Sequence, residues 1–265
     1  MKYTPLVSVI MSVYNHENVV SDTINSIIRQ TYKNLEIIII DDCSTDGSRR
    51  IIKDFENQDK RVIAIYNDHN LGLPKSLNNG IRVSSGELIA RFDADDVYAS
   101  DRIYLQVRYM KSRPYIDVLG FNAILIDKNS NEIGKTDLPM LHSDLDARMP
   151  IGNPFVHSSI MAKRSFFISL NGYDEKLIKK QDYDLWARGK DNFIYENMPN
   201  FLMSYRVEYS KPFMTDLYGF YVRIRNGYRG GYLVPAFYWA VETLSINIFR
   251  KIGYRQNSIC NYPKK

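Results

Sequence analysis

The run Leu88-Ile89-Ala90-Arg91-Phe92-Asp93-Ala94-Asp95-Asp96 constrains this chain most, because it is an apolar strand that ends in three closely spaced carboxylates. Two earlier segments end in the same manner. Val7-Ser8-Val9-Ile10-Met11-Ser12-Val13-Tyr14-Asn15 and Ile37-Ile38-Ile39-Ile40-Asp41-Asp42-Cys43-Ser44-Thr45-Asp46-Gly47-Ser48 both pass from apolar to polar at their carboxyl ends. Such a cluster at a sheet edge suits a hard, oxygen-seeking divalent cation, and such an ion brings a diphosphate with it. A bare Asp-x-Asp is equally compatible with a solvated acidic turn, so its surroundings decide between the two.

Those surroundings alternate strand and helix. After the strand Val7 to Ser12, the positions Val20, Ile24, Ile27 and Ile28 fall at helical spacing. Leu35 to Ile40 is a continuous apolar strand of the kind buried on both faces. Ile51, Ile52 and Phe55 return to helical spacing, Val62 to Tyr66 is the next strand, Leu73, Leu77 and Ile81 mark a helix, and Leu88 to Phe92 is a fourth strand. A βαβαβαβ order implies a mainly parallel sheet with right-handed crossovers, and such sheets bind ligands outside the carboxyl ends of their strands. All three polar junctions lie at carboxyl ends.

The 265 residues, 45% hydrophobic and 25% charged, are enough to bury a full core. Two cysteines, Cys43 and Cys260, make no disulfide framework and no Cys-x-x-Cys, which suits a reducing cytosol. The amino-terminal run is broken by Ser8, Ser12 and Asn15 and lacks the apolar block and small-residue cleavage site of a signal peptide. No Gly-x-Gly-x-x-Gly follows the first strand and no Gly-x-x-x-x-Gly-Lys-Ser/Thr occurs, which speaks against dinucleotide dehydrogenases and P-loop NTPases. The loop starting at Asp42 superficially suggests an EF-hand, but its twelfth position is Lys53 instead of a bidentate carboxylate.

With these pieces in place the chain resembles a family 2 glycosyltransferase of the GT-A nucleotide-sugar fold, from about Val7 to Tyr205. The resemblance rests on the opening Val-Ser-Val-Ile-Met-Ser-Val-Tyr-Asn, the Asp-Asp-x-Ser-Thr-Asp-Gly-Ser turn and Asn70-Leu71-Gly72-Leu73. Further along it rests on Gly86 to Asp96, His157-Ser158-Ser159, Gly172-Tyr173-Asp174 and Gln181-Asp182-Tyr183-Asp184-Leu185-Trp186. Each is weak alone, and their order and spacing make them specific together. The implied architecture is an α/β, Rossmann-like, mainly parallel sheet flanked by helices. Residues 1–205 would form the catalytic domain, divided into a nucleotide-binding half (1–100) and an acceptor half (101–205), with a basic aromatic helical extension over 206–265.

The resemblance also implies roles for individual residues. The backbone around Met11 to Val13 and the ring of Tyr14 would flank the uracil of a UDP-sugar, and Asp42 would accept from the base N–H. Asp93 would meet the ribose hydroxyls. Asp95 would bind Mn²⁺ or Mg²⁺ bridging the two phosphates, a Lewis acid for the departing UDP. Asp96 would support the loop in place of touching metal. In the family a Glu-Asp pair opens a helix at the place where this chain has Gln181-Asp182, so Asp182 is the expected general base and Gln181 a departure that puts acceptor contacts in question. His157 is either a structural histidine or a residue facing the diphosphate and sugar. Glu17, Lys75 and Arg91 lie near the expected cleft and could equally be members of surface ion pairs.

The last quarter differs in kind. From residue 203 onward there are ten Lys or Arg against three Asp or Glu, leaving +7 there and −2 on the rest of a chain whose net charge is +5. Tyr232 to Phe249 carries one charge, Glu242, and Leu233, Phe237, Val241, Leu244 and Ile248 form one stripe. Pro235, Glu242, Ser245 and Asn247 argue against a simple span, so the expectation is an interfacial helix, with Arg223, Arg225, Arg229, Arg250, Lys251 and Arg255 drawn to anionic lipid. A helix packed on the catalytic domain is the alternative. The aliphatic and aromatic company of these charges favours a membrane surface over nucleic acid.

An enzyme resting on the inner leaflet, cytoplasmic and peripheral, suits an acceptor sugar on a polyprenyl diphosphate, as in relatives that build O-antigen or capsule repeat units. The expected reaction is an inverting transfer of a hexose, glucose or galactose, from UDP to a lipid-linked sugar such as GlcNAc. Transfer to a polyprenyl monophosphate is one alternative, and a nucleotide-sugar-binding subunit without turnover is another. The absence of Gln-x-x-Arg-Trp disfavours a processive synthase.

Overall fold

The computed structural model describes residues 4–150, 152–207 and 213–229, together with Leu233, Phe237 and Val241. Four strands and three helices build the first half: β1 (Val7–Val13), α1 (Val20–Ile28), β2 (Leu35–Asp41), α2 (Ser48–Gln58), β3 (Val62–Tyr66), α3 (Leu73–Val83) and β4 (Leu88–Asp93). These are the elements expected from the apolar spacing. Strands β1, β2 and β4 run one residue further than their apolar runs, so each carries a polar or edge residue to the rim of the sheet.

The strands are largely apolar because both faces of the sheet are covered. Val9, Met11, Val13, Ile37 and Ile39 point into one core cluster with Val20, Ile24 and Ile27 of α1 and Ile52 of α2. Ile10, Ile38 and Ile40 point the other way, onto Leu77 and Ile81 of α3. The period-two alternation of a strand thus feeds two apolar layers, as parallel sheets require. Helix α3 opens with Pro74 in its first turn, where a missing N–H costs no hydrogen bond, and Gly72 just before it sits at φ 83°, a conformation that favours glycine.

The second half completes one nine-stranded sheet with β5 (Val97–Tyr98), β6 (Val118–Ile126), β7 (Glu132–Lys135), β8 (Met161–Lys163) and β9 (Tyr195–Arg206). The order is β3-β2-β1-β4-β8-β6-β9-β5, with β7 paired to β6. β1 lies parallel to both β2 and β4, and β2 is parallel to β3. Beyond β4 the sheet is mixed: β8 runs antiparallel to β4 and β6, β6 is parallel to β9, and β5 is antiparallel to β9. Helices α4 (Arg102–Ser112), α5 (His142–Arg148), α6 (Arg164–Ser169) and α7 (Gln181–Gly189) surround this half. No described helix is long and apolar enough to cross a membrane.

Helix α8 (Phe213–Arg229) corrects one expectation about the basic tail. Its Val222 is buried with Leu177 and Tyr183, so the helix packs on α7 and on the loop before it. Arg225 bonds Asp174 at 3.1 Å and also pairs with the buried carboxylate of Asp184, while Arg223 hydrogen bonds Tyr183. These two cations serve the protein interior, where unpaired carboxylates would be costly, instead of an anionic lipid. The side chain of Arg229 and the residues Leu244, Ile248, Arg250, Lys251, Arg255 and Cys260 lie outside the described part.

Candidate active site

Strand register assembles the site. Ser12 stands opposite Ile40 of β2 on one side and Asp93 of β4 on the other, and Val13 pairs with Asp41. The carboxyl ends of the three central strands therefore finish together, with Tyr14, Asp42 and the Asp93 to Asp96 turn on one rim. Asn15 and Cys43, one residue past the rim on β1 and β2, adopt left-handed backbone at φ 58° and 62°. Residues held in such conformations cluster at functional sites, because only a well-determined surrounding keeps them there.

The three carboxylates of the acid turn have different environments. Asp93 is partly exposed and paired with Arg91. Burial opposes its charge, but Arg91, then His157, hold its carboxyl below the usual range. Asp95 is pushed up by burial and then by the neighbouring Asp93, with His16 and Arg206 acting against that shift. Asp96 is fully buried and accepts from the Ser158 hydroxyl at 2.7 Å and from the Arg206 backbone N–H at 3.1 Å. Burial, followed by Asp93 and Asp95, raises it to about 8. Asp96 is thus buried and hydrogen-bonded within the loop, whereas Asp93 and Asp95 are only partly buried.

Two buried arginines lie under this turn. Arg91 is 2% exposed, so it is no surface ion-pair member: it holds Asp93 and the Phe92 carbonyl from within. Arg102 of α4 stacks on Phe92 with its guanidinium carbon 3.8 Å from the ring centre, lies 4.6 Å from the Tyr98 ring centre, and donates to the Arg91 carbonyl at 2.8 Å. Burial lowers it to about 10, which leaves it charged at neutral pH. Positive charge below the turn offsets the cost of holding carboxylates together above it.

On the rim, Tyr14 is 44% exposed. The Met11 and Val13 side chains are buried in the core, so only backbone from this stretch can reach a ligand. Asp42 accepts from the Asn67 side chain at 2.8 Å and from the backbone N–H groups of Leu71 and Gly72 at 2.8 and 2.9 Å. That explains the Asn70-Leu71-Gly72-Leu73 motif, and it leaves one of the about four acceptor positions of the carboxylate. Glu17 accepts from Gly47 N–H at 2.6 Å and its own N–H donates to Asp46 at 3.0 Å, tying the loop after β1 to the loop after β2. Lys75 is exposed on α3.

Residues of the second half close on the same rim. Asp182, half-buried in the first turn of α7, accepts from the Asn153 side-chain amide. His157 bonds the Tyr173 hydroxyl at 2.8 Å and stands edge-on to Trp186 at 6.3 Å. Burial, then Arg91, lowers it to about 4, while Asp182 and Asp93 act in the opposite sense. His157 is therefore a neutral imidazole flanked by both the turn and the base candidate. Gln181 is buried. Tyr205 of β9 feels Asp93, Asp96, Asp95 and Asp182 together, which with its burial raises its hydroxyl pKa. Tyr205, Arg206 and His16 were not singled out from sequence, being lone polar residues without motif spacing; β9 brings Tyr205 and Arg206 to the turn, and the loop after β1 brings His16.

Among the described residues no group of three or more His, Cys, Asp or Glu could enclose a metal ion. What the rim offers is Asp93 and Asp95, whose mutual repulsion a cation would relieve. This donor set fits an ion that takes most of its oxygens from phosphate and water.

The glycosyl transferase family 2 profile matches residues 8–170. An uncharacterized glycosyltransferase of Methanocaldococcus jannaschii is 36% identical over 208 residues, 77% of this chain and 71% of that protein. The O-antigen biosynthesis glycosyltransferase WbnJ of Escherichia coli is 30% identical over 213 residues, 78% of this chain and 82% of that one. Among solved structures, the mannosyltransferase PcManGT of Pyrobaculum calidifontis, in complex with GDP-Man and Mn²⁺, superposes with a TM-score of 0.68 at 16% identity, covering 96% of this chain and 77% of its own. S. aureus TarS 1-349 in complex with UDP-GlcNAc gives 0.72 at 15% identity over 94% and 76%. At those identities the likeness shows the fold, which is GT-A. The chain belongs to glycosyl transferase family 2.

Proposed function

We propose that the protein moves a hexose, glucose or galactose, from a UDP-sugar to a lipid-linked sugar such as GlcNAc on a polyprenyl diphosphate, with inversion, in the synthesis of a cell-surface polysaccharide. The observation that carries this reading is the convergence of the Asp93 to Asp96 turn and Asp182 around His157 and Tyr205. A donor site and a base that share one cleft suit a single in-line displacement. WbnJ, whose name assigns it to O-antigen biosynthesis, supports the polysaccharide context.

In this reading residues 1–100 bind the donor and 101–205 the acceptor. Tyr14 covers the uracil, the last acceptor position of Asp42 takes the base N–H, and Asp93 takes the ribose hydroxyls. Asp95 holds Mn²⁺ or Mg²⁺, which when bound stabilises charge on the departing UDP. PcManGT, solved with Mn²⁺ and GDP-Man, supports a metal of this kind. Asp182 accepts the proton of the acceptor hydroxyl as the oxygen attacks the anomeric carbon, and Asn153, donating to its other oxygen, fixes the direction of the free lone pairs. His157 is a wall of the cleft and moves no proton. The protein works at the inner face of the membrane, a reading supported by the basic tail and by Leu233, Phe237 and Val241, which share one helical stripe and are 40, 55 and 41% exposed.

The test is turnover of a panel of UDP-sugars on a synthetic GlcNAc-diphosphate-lipid, with Mn²⁺ or with EDTA. Metal-dependent transfer of one hexose supports the reading. UDP binding without transfer to any lipid diphosphate rejects the acceptor assignment.

A further inference from the structure

Helix α8 grips the segment that carries Asp182 at four points. Gly219 lies against Lys180, where an added Cβ would stand 3.5 Å from the lysine Cε. Val222 packs on Leu177 and Tyr183. Arg223 hydrogen bonds Tyr183. Arg225 bonds Asp174 at 3.1 Å and pairs with Asp184, whose carboxylate is fully buried. The contacts therefore fall on positions 174, 177, 180, 183 and 184, on both sides of Asp182.

The segment needs such support. Lys180, the residue that enters α7, is held in left-handed backbone at φ 62°, a conformation a lysine does not adopt freely. The Lys180 carbonyl accepts the Asp184 N–H at 3.0 Å, so the turn that starts α7 runs directly over Asp182. Asp184 shares its charge between two cations. Arg188, one turn along α7, donates to it at 2.8 Å and also to the carbonyls of Leu170 and Gly172 at 2.6 and 2.7 Å. Arg225 arrives from α8 on the other carboxylate oxygen. Removing Arg225 leaves Asp184 paired with Arg188, so the interior charge stays compensated while the tie to α8 is lost.

We infer that α8, through Arg225, is a positioning element for Asp182, so that the first helix of the basic tail completes the acceptor half of the active site. The inference rests on the reading of Asp182 as the general base. A base displaced by about 1 Å can cost 100-fold in rate without altering what the donor site binds.

The experiment compares the parent, R225A, R225K, D182N and the double variant D182N/R225A in the full chain, with residual transfer followed by radiolabelled sugar and UDP binding measured separately. UDP binding within about twofold of the parent shows that R225A has folded. The expected result is a fall in kcat of at least about tenfold for R225A with donor KM unchanged. R225K recovers part of that loss, and R225A has no further effect in the D182N background, because a base that is absent cannot be misplaced. The inference is overturned if R225A lowers kcat by the same factor with and without Asp182, or if it raises donor KM and leaves kcat intact. If D182N turns over like the parent, the base assignment itself falls, and that result is distinct from independent effects of the two changes.

Discussion

The Ser158 hydroxyl donates to the Asp96 carboxylate over 2.7 Å, joining the acid turn after β4 to the 3-10 turn His157–Ser159 across 62 residues of sequence. Both partners are fully buried. This bond, with the Arg206 N–H on the other oxygen, fixes where the two halves of the cleft meet.

Asp96 carries a signature in pH. Its carboxyl is raised to about 8, so the folded protein keeps it protonated where the unfolded chain would ionise it. That stabilisation is fully present below the ordinary carboxylate range and is lost as pH rises through about 8. Asp96→Asn, which resembles the protonated form, is expected to lie within about 1 kcal/mol of the parent at pH 7 and to lose less stability than the parent between pH 5 and pH 8. Ser158→Ala is expected to cost about 1 to 3 kcal/mol. Denaturant titrations across that pH range measure both.

His157 carries the opposite sign. Burial and Arg91 lower it to about 4, so its contribution is present above the ordinary histidine value and is lost as pH falls through about 4. Between pH 7 and pH 4.5 the parent is expected to lose about 2 to 3 kcal/mol more stability than His157→Gln. The kcat profile should show no limb near pH 6.5 that disappears in the variant.

Arg102 is a structural cation. It lies against Phe92 and Tyr98 and donates to the Arg91 carbonyl, while its Nε meets the Gln106 side-chain oxygen at 3.2 Å. Arg102→Ala is expected to destabilise the protein by about 3 to 5 kcal/mol, since it opens a cavity and leaves the carboxylates above without their counter-charge. A thermal melt tests this without any activity assay.

The parallel half was legible because each strand is a mainly apolar run with helical spacing between runs, a pattern written most plainly in Ile37 to Ile40. Strands β5, β7 and β8 were not, since runs as short as Val97–Tyr98 or Met161–Lys163 show no period and exist only because β9 and β4 offer them backbone partners. The acid turn stood out in the residues themselves, and the resemblance to family 2 pointed to Asp42 and Asp182. It could not show that Arg91 is buried, that the Met11 and Val13 side chains face the core, or that Arg225 turns inward, because a residue's face depends on which helix packs over it. The Asp184 ion pairs are the clearest case: its fully buried carboxylate lies between Arg188 of its own helix and Arg225 of α8.

The most direct test of the account is Asp182→Asn beside Asp95→Ala, each assayed for UDP binding and for sugar transfer with and without Mn²⁺. The account predicts that Asp182→Asn binds UDP with metal as the parent does and transfers at least about 100-fold more slowly, as expected for loss of a general base. It predicts that Asp95→Ala loses the metal dependence of UDP binding together with transfer. Near-normal turnover by Asp182→Asn would contradict it, because the acceptor oxygen would then need no base and the shared cleft would have no catalytic meaning.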